Sequence, residues 1–136
     1  MKIHTSIIDF CTFFFLGGTA YYLLEILYRG YSHYSMFLGG GIIFYLISLF
    51  HRKYQTRLHL VTRMIISAMI ITFVELLFGL YFNLHLHEQV WDYSLHYYNY
   101  KGQICLTFSI LWFFLSLPVL LLESFLRRSL RTLQKF

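Results

Sequence analysis

The chain has 136 residues, of which 58% are hydrophobic, 21% aromatic and only 12% charged, and its mean hydropathy is +0.60. A soluble domain carries about 25% charged residues, so a water-facing surface could not be covered here, and intrinsic disorder has the opposite signature of few aromatics and high net charge. The net charge of +5 is what membrane insertion and anionic headgroups require, and no polar domain exists to carry nucleic acid.

A spanning helix needs about 20 mostly apolar residues, and four stretches meet or approach that length. The first runs from about Ile7 to Tyr28, with Asp9 and Glu25 near its ends. Its apolar run continues past Ala20 through Tyr21-Tyr22-Leu23-Leu24, and Cys11 follows Asp9-Phe10 rather than small residues. It is therefore expected to be an uncleaved span rather than a signal or lipoprotein leader. The second, about Tyr34 to Phe50, has no charge and contains Gly39-Gly40-Gly41. Together with Gly17-Gly18 of the first span, these glycines remove side chains where two helix backbones can touch. The third, about Met64 to Phe82, is interrupted only by Glu75, and the fourth, about Ile104 to Leu122, carries no charge. A tail from Glu123 to Phe136 alternates apolar and basic residues, as a solvated interfacial helix does. Within it Glu123 and Arg127 are spaced as a helical ion pair.

Orientation follows from Lys and Arg in the connections. With the N-terminus inside, Lys2, Arg52, Lys53, Arg57, Arg63, Arg127, Arg128, Arg131 and Lys135 are inside, and Arg29 and Lys101 outside: nine against two. The expected architecture is a single all-α transmembrane domain over residues 1–136, with four transmembrane helices and both termini cytoplasmic. The segment between helices three and four is expected to cap the outer face or re-enter the bilayer. Cys11 and Cys105 fall near opposite faces, too far apart for the roughly 4.4–6.8 Å that a disulfide spans.

Glu75 is the first candidate for function. At a rise of ~1.5 Å per residue it lies roughly 17 Å from Met64, in the middle of its span. A charge there costs a few kcal/mol, so it should face the bundle interior or a wet cavity. Glu25 sits in a similar local string, Leu24-Glu25-Ile26-Leu27-Tyr28 against Val74-Glu75-Leu76-Leu77-Phe78, close to Arg29. Both spans run in the same direction, as in a parallel repeat whose interface holds a substrate or ion path. For Glu75 the structural reading, a protonated carboxyl bonded to a neighbouring helix that stabilises packing, stands beside the path, and for Glu25, near the interface and close to Arg29, the packing role is the stronger reading.

Seven histidines raise the question of metal or haem. None falls inside an expected span: His4, His51 and His59 lie inside, and His33, His85, His87 and His96 outside. No haem and no other cofactor is expected. His85 and His87 are weak metal candidates, since an extended His85-Leu86-His87 would turn both rings to one side. The outer segment is rich in aromatics, including Trp91, Tyr93, Tyr97, Tyr98 and Tyr100, as an interfacial belt is. Asp92 with Ser94 suits a cap, and Asn99 with Gly102 a tight turn into the fourth span. No phosphate-binding loop, nucleophile elbow or zinc-protease motif occurs, so no enzyme is expected.

At Trp91-Asp92-Tyr93-Ser94, Asn99, Gly102-Gln103-Ile104-Cys105-Leu106 and Trp112, and again at Arg29 to Phe37, the chain resembles the type IV ABC-transporter permease family, the CmpB-like bacterial membrane proteins. The resemblance extends from about Gly17 to Leu126. The chain departs from the family pattern at His85 to Gln89, usually an apolar run containing glycine, and at Tyr97-Tyr98, where a proline usually precedes the asparagine. The family name implies transport in a bacterial plasma membrane. The expected function is a multi-pass transporter or permease-type subunit of unknown substrate, with Glu75 and Glu25 lining the path. Four short helices enclose little volume, so a homo-oligomer is expected, and any ATPase is a separate subunit. The alternative is a non-transporting scaffold or regulatory partner. A lipid-directed enzyme acting through His85, His87 and Asp92 is a third, weaker reading.

Overall fold

The computed structural model describes residues 2–136, with side chains from residue 6 onward. Met1 and the side chains of Lys2 and His4 lie outside the described residues. Four helices account for most of the chain: α1 (Lys2–Arg29), α2 (Tyr34–Tyr54), α3 (Leu60–Phe78) and α4 (Leu106–Leu133). Among the described residues, four helices are long and apolar enough to cross a membrane. Helix α3 continues without a break into a π-helical turn, Gly79–His85. The helices extend beyond the apolar runs of the sequence, α2 to Tyr54 and α4 through Pro118 to Leu133.

Helices α1 and α2 meet backbone to backbone. A Cβ on Gly17 would lie 2.8 Å from the Gly40 carbonyl oxygen, and one on Gly41 would lie 2.7 Å from that of Phe14. The other half of the bundle is filled by larger side chains, with Ile47, Met64, Ala68, Ile71, Trp112 and Leu120 forming its buried core. Along α4 the buried positions are Trp112, Ser116, Leu120, Glu123 and Arg127, a single stripe at spacings of three and four that faces the core. Large apolar side chains remain exposed along all four helices, the surface expected to meet lipid.

Residues 86–105 fold over the end of the bundle opposite the termini. Their only regular structure is an antiparallel pair, β1 (Asn99–Tyr100) and β2 (Ile104–Cys105), with Asn99 opposite Cys105. Gly102 makes the turn with φ +72°, and a Cβ there would lie 2.8 Å from Asp92 Oδ1. Both cysteines are free thiols.

Candidate functional site

Glu75 points into the bundle and is 9% exposed. Its carboxylate accepts two hydrogen bonds, one per oxygen: Tyr93 Oη donates to Oε1 at 2.7 Å and Trp112 Nε1 donates to Oε2 at 3.1 Å. Both donors are neutral. Tyr93 belongs to the cap, so a loop residue reaches down to a carboxylate in the third helix. Burial, and then the charge of Glu75, hold the Tyr93 hydroxyl above the ordinary phenol range, which keeps it a proton donor. Its ring stacks on Phe108 at 4.6 Å between centroids.

Beside Glu75 lies a cavity of about 40 Å³ walled by α1, α2, α3, α4 and the cap. Glu25 and Arg29 are on the α1 wall and pair with each other at 2.6 Å. Arg29 Nη1 also donates to the Val90 carbonyl at 2.7 Å, tying α1 to the cap. The two carboxylates singled out by the sequence thus line one cavity, but only Glu75 lacks a cationic partner in contact. Gly39 and Gly40 form part of the α2 wall, and the rings of Tyr21, Phe78, Trp91, Tyr93 and Trp112 supply much of the rest.

The cap is held in place by a buried amide relay. Asn83, from the π-helical turn, accepts the Val90 amide at 2.6 Å and donates to Gln103 Oε1 at 2.8 Å. Trp91 Nε1 donates to the Gln103 carbonyl at 2.9 Å. Gly79 leaves room for this, because a Cβ there would lie 2.6 Å from Gln103 Oε1. Widened helical turns of this kind recur at functional sites. Asp92 accepts the Ser94 amide at 2.8 Å, and that bond holds its carboxyl below the ordinary carboxylate range. Asn99 donates to the His96 carbonyl at 2.8 Å and accepts from Gly102 N at 2.9 Å. Of the outer motif, Asp92, Ser94, Asn99 and Gly102 therefore build the turn, Trp91 and Gln103 lock it to the helices, and Tyr93 alone reaches Glu75.

Three readings made from sequence are corrected here. The His85–His87 segment is not extended: His85 ends the π-helical turn, Leu86 is αR, and His87 has φ +56°. His85 stacks on Tyr81 instead, and among the described residues no group of three His, Cys, Asp or Glu side chains converges as metal ligands. The outer histidine that does find a carboxylate is His33, whose Nε2 lies 3.1 Å from Glu88. Second, His51 lies within α2 and is buried, rather than beyond the end of a span. Third, Glu123 and Arg127 are buried too, because the core-facing stripe of α4 runs on past the uncharged stretch.

Those residues form a second polar network, at the end of the bundle that carries the termini. Glu123 accepts from Arg127 and from His51 Nδ1, and Ser48 Oγ donates to it at 3.2 Å. Arg127 also donates to the Ser48 carbonyl at 2.9 Å. Arg63 Nη1 lies 2.6 Å from His51 Nε2. A guanidinium can only donate, so His51 Nε2 accepts and its single proton sits on Nδ1, facing Glu123. Arg52 pairs with Asp9 at 2.7 Å on the rim of this network. It closes the bundle with fixed charge pairs, whereas the Glu75 end encloses space.

A family model described as "Putative ABC-transporter type IV" matches residues 8–135. The chain belongs to that family. It is a multi-pass membrane protein of the transporter-subunit type, as the fold and the family together show. No match is found among curated proteins or among solved structures.

Proposed function

We propose that the chain is a path-forming subunit of a bacterial ABC-type transporter and that the Glu75 cavity is its solute-binding site. The observation that carries this reading is a buried carboxylate without a cationic partner beside a cavity. Intramembrane carboxylates are costly and mark substrate or ion paths, and membrane binding sites lie between helices near the midplane. The charge count, nine basic residues against two, supports both termini in the cytoplasm and the cavity in the outer half of a plasma membrane. The Glu123–His51–Arg127 network then lies toward the cytoplasm, where a separate ATPase subunit would act.

A cavity of about 40 Å³ is far below the roughly 300–1,000 Å³ of a typical solute site. The full path therefore requires a second copy or an opening of the bundle. That small volume also favours a second reading, a non-transporting membrane partner whose cap binds another protein.

Inverted membrane vesicles separate the two. Vesicles carrying wild type or Glu75→Gln at equal folded level are energised with ATP, and their contents are inventoried by mass spectrometry. At least one solute should change with ATP in wild-type vesicles and not in the variant. Identical inventories would reject Glu75 as part of a path.

A further inference from the structure

The cavity walls also specify the class of ligand, and this inference rests on the reading of the Glu75 cavity as a binding site. Three formal charges line it: Glu25, Arg29 and Glu75. Glu25 and Arg29 cancel one another at 2.6 Å, and Arg29 spends a further donor on the Val90 carbonyl. What remains is Glu75, held only by the neutral donors Tyr93 and Trp112. An ionised Glu75 leaves the cavity one negative charge in excess, in buried surroundings where water screens it less than at the surface.

Aromatic side chains supply much of the wall. Tyr21, Phe78, Trp91, Tyr93 and Trp112 all border the cavity, and an aromatic ring attracts a cation that sits over its face. Much of the remaining wall is alkyl, including Ile43, Ile71 and Val74. A bare divalent metal wants about six oxygen ligands, and the walls here offer aromatic and aliphatic surface instead. A cation that carries its own apolar surface suits such walls.

We propose that the Glu75 cavity binds a small ammonium-type organic cation, with Glu75 as counter-ion and the surrounding rings as its cage.

The chain supplies its own reporter, because its two tryptophans, Trp91 and Trp112, both border the cavity. The full chain in lipid nanodiscs, without ATPase or gradient, is titrated with methylammonium and tetramethylammonium chloride while tryptophan fluorescence is followed. Sodium chloride and tert-butanol serve as charged and neutral controls. The expected result is a saturable change with at least one ammonium ion, absent with both controls, and weakened at least 10-fold by Glu75→Gln. Glu75→Asp keeps the charge and should retain the preference for ammonium over tert-butanol, so a failure of the Gln variant to fold leaves the question decidable. No saturable response to either ammonium ion, or an equal response to tert-butanol, overturns the proposal. Binding without Glu75-dependent transport in the vesicles would reject the transport reading alone. Glu75-dependent transport without ammonium binding would reject the cation class alone.

Discussion

Tyr93, in the cap, donates its phenolic hydrogen to Glu75, in the third helix, over 2.7 Å. This bond couples a loop that closes one end of the bundle to the carboxyl group inside it. A hydrogen bond contributes about 0.5–1.5 kcal/mol, and about 1.5–3 kcal/mol where the acceptor is charged. Tyr93→Phe should therefore lower the thermal midpoint in detergent and speed hydrogen exchange selectively across residues 86–105. Unchanged exchange there would mean that the amide relay through Asn83 and Gln103 holds the cap by itself.

At the opposite end, Glu123 stands between Arg127 and His51 with no exposed surface. Removing one member of a buried pair leaves an uncompensated charge and costs about 3–5 kcal/mol, whereas replacing both by apolar residues is often close to neutral. Glu123→Leu alone should thus destabilise the protein severely, and adding Arg127→Met should recover most of the loss. Thermal unfolding of the single and double variants checks this. Equal stability of the two would show that Glu123 contributes through Ser48 and His51 rather than through Arg127.

The glycines of α2 give a series in which position decides the sign. A Cβ at Gly41 would lie 2.7 Å from the Phe14 carbonyl oxygen, whereas one at Gly39 would lie 3.5 Å from the Phe78 ring, an ordinary contact. Gly41→Ala should force α1 and α2 apart at a cost of about 1–3 kcal/mol. Gly39→Ala should be neutral or stabilising by up to about 1 kcal/mol, since alanine is the better helix former. Thermal midpoints of the two variants, compared side by side, would expose an error if they shifted equally.

Much of this architecture was legible in the sequence. Apolar runs gave the four helices, paired glycines marked the α1–α2 contact, and a lone glutamate in an apolar helix had to face inward because lipid could not solvate it. The inner network was harder to see, because Glu123 and Arg127 lie past the uncharged run and look like a solvated helix end. The signal was present nonetheless: Trp112, Ser116, Leu120, Glu123 and Arg127 share one helix face, and Ser48 and His51 continue the α2 face that contains Phe44. Periodicity, followed beyond the apolar window, would have placed them inside. The bond between Tyr93 and Glu75 had no local signal, because it depends on how a long irregular segment folds back. Asn83 was missed for the same reason: its partners lie across the cap.

The Asp92 turn carries a pH dependence of definite sign. The Ser94 amide holds the Asp92 carboxyl below its unfolded range. A depressed carboxylate stabilises the fold above the unfolded pKa of about 3.9, and that contribution disappears as pH falls through the lower folded value. Cap order, read from the chemical shifts of Trp91 and Gly102, should be constant from neutral pH to about 5 and decline only in stronger acid. Asp92→Asn, which keeps an oxygen for the Ser94 amide, should remove that acid transition; its persistence would assign it to another carboxylate.

Native mass spectrometry of the protein, extracted gently from its own host membrane, tests the central claim most directly. Wild type should emerge as an oligomer with an ATPase subunit and a retained small cation. The Glu75→Gln variant should keep the ATPase and lose the cation. A bare chain in both preparations, or the same retained mass in both, would contradict an ABC-type transport subunit whose binding site is built on Glu75.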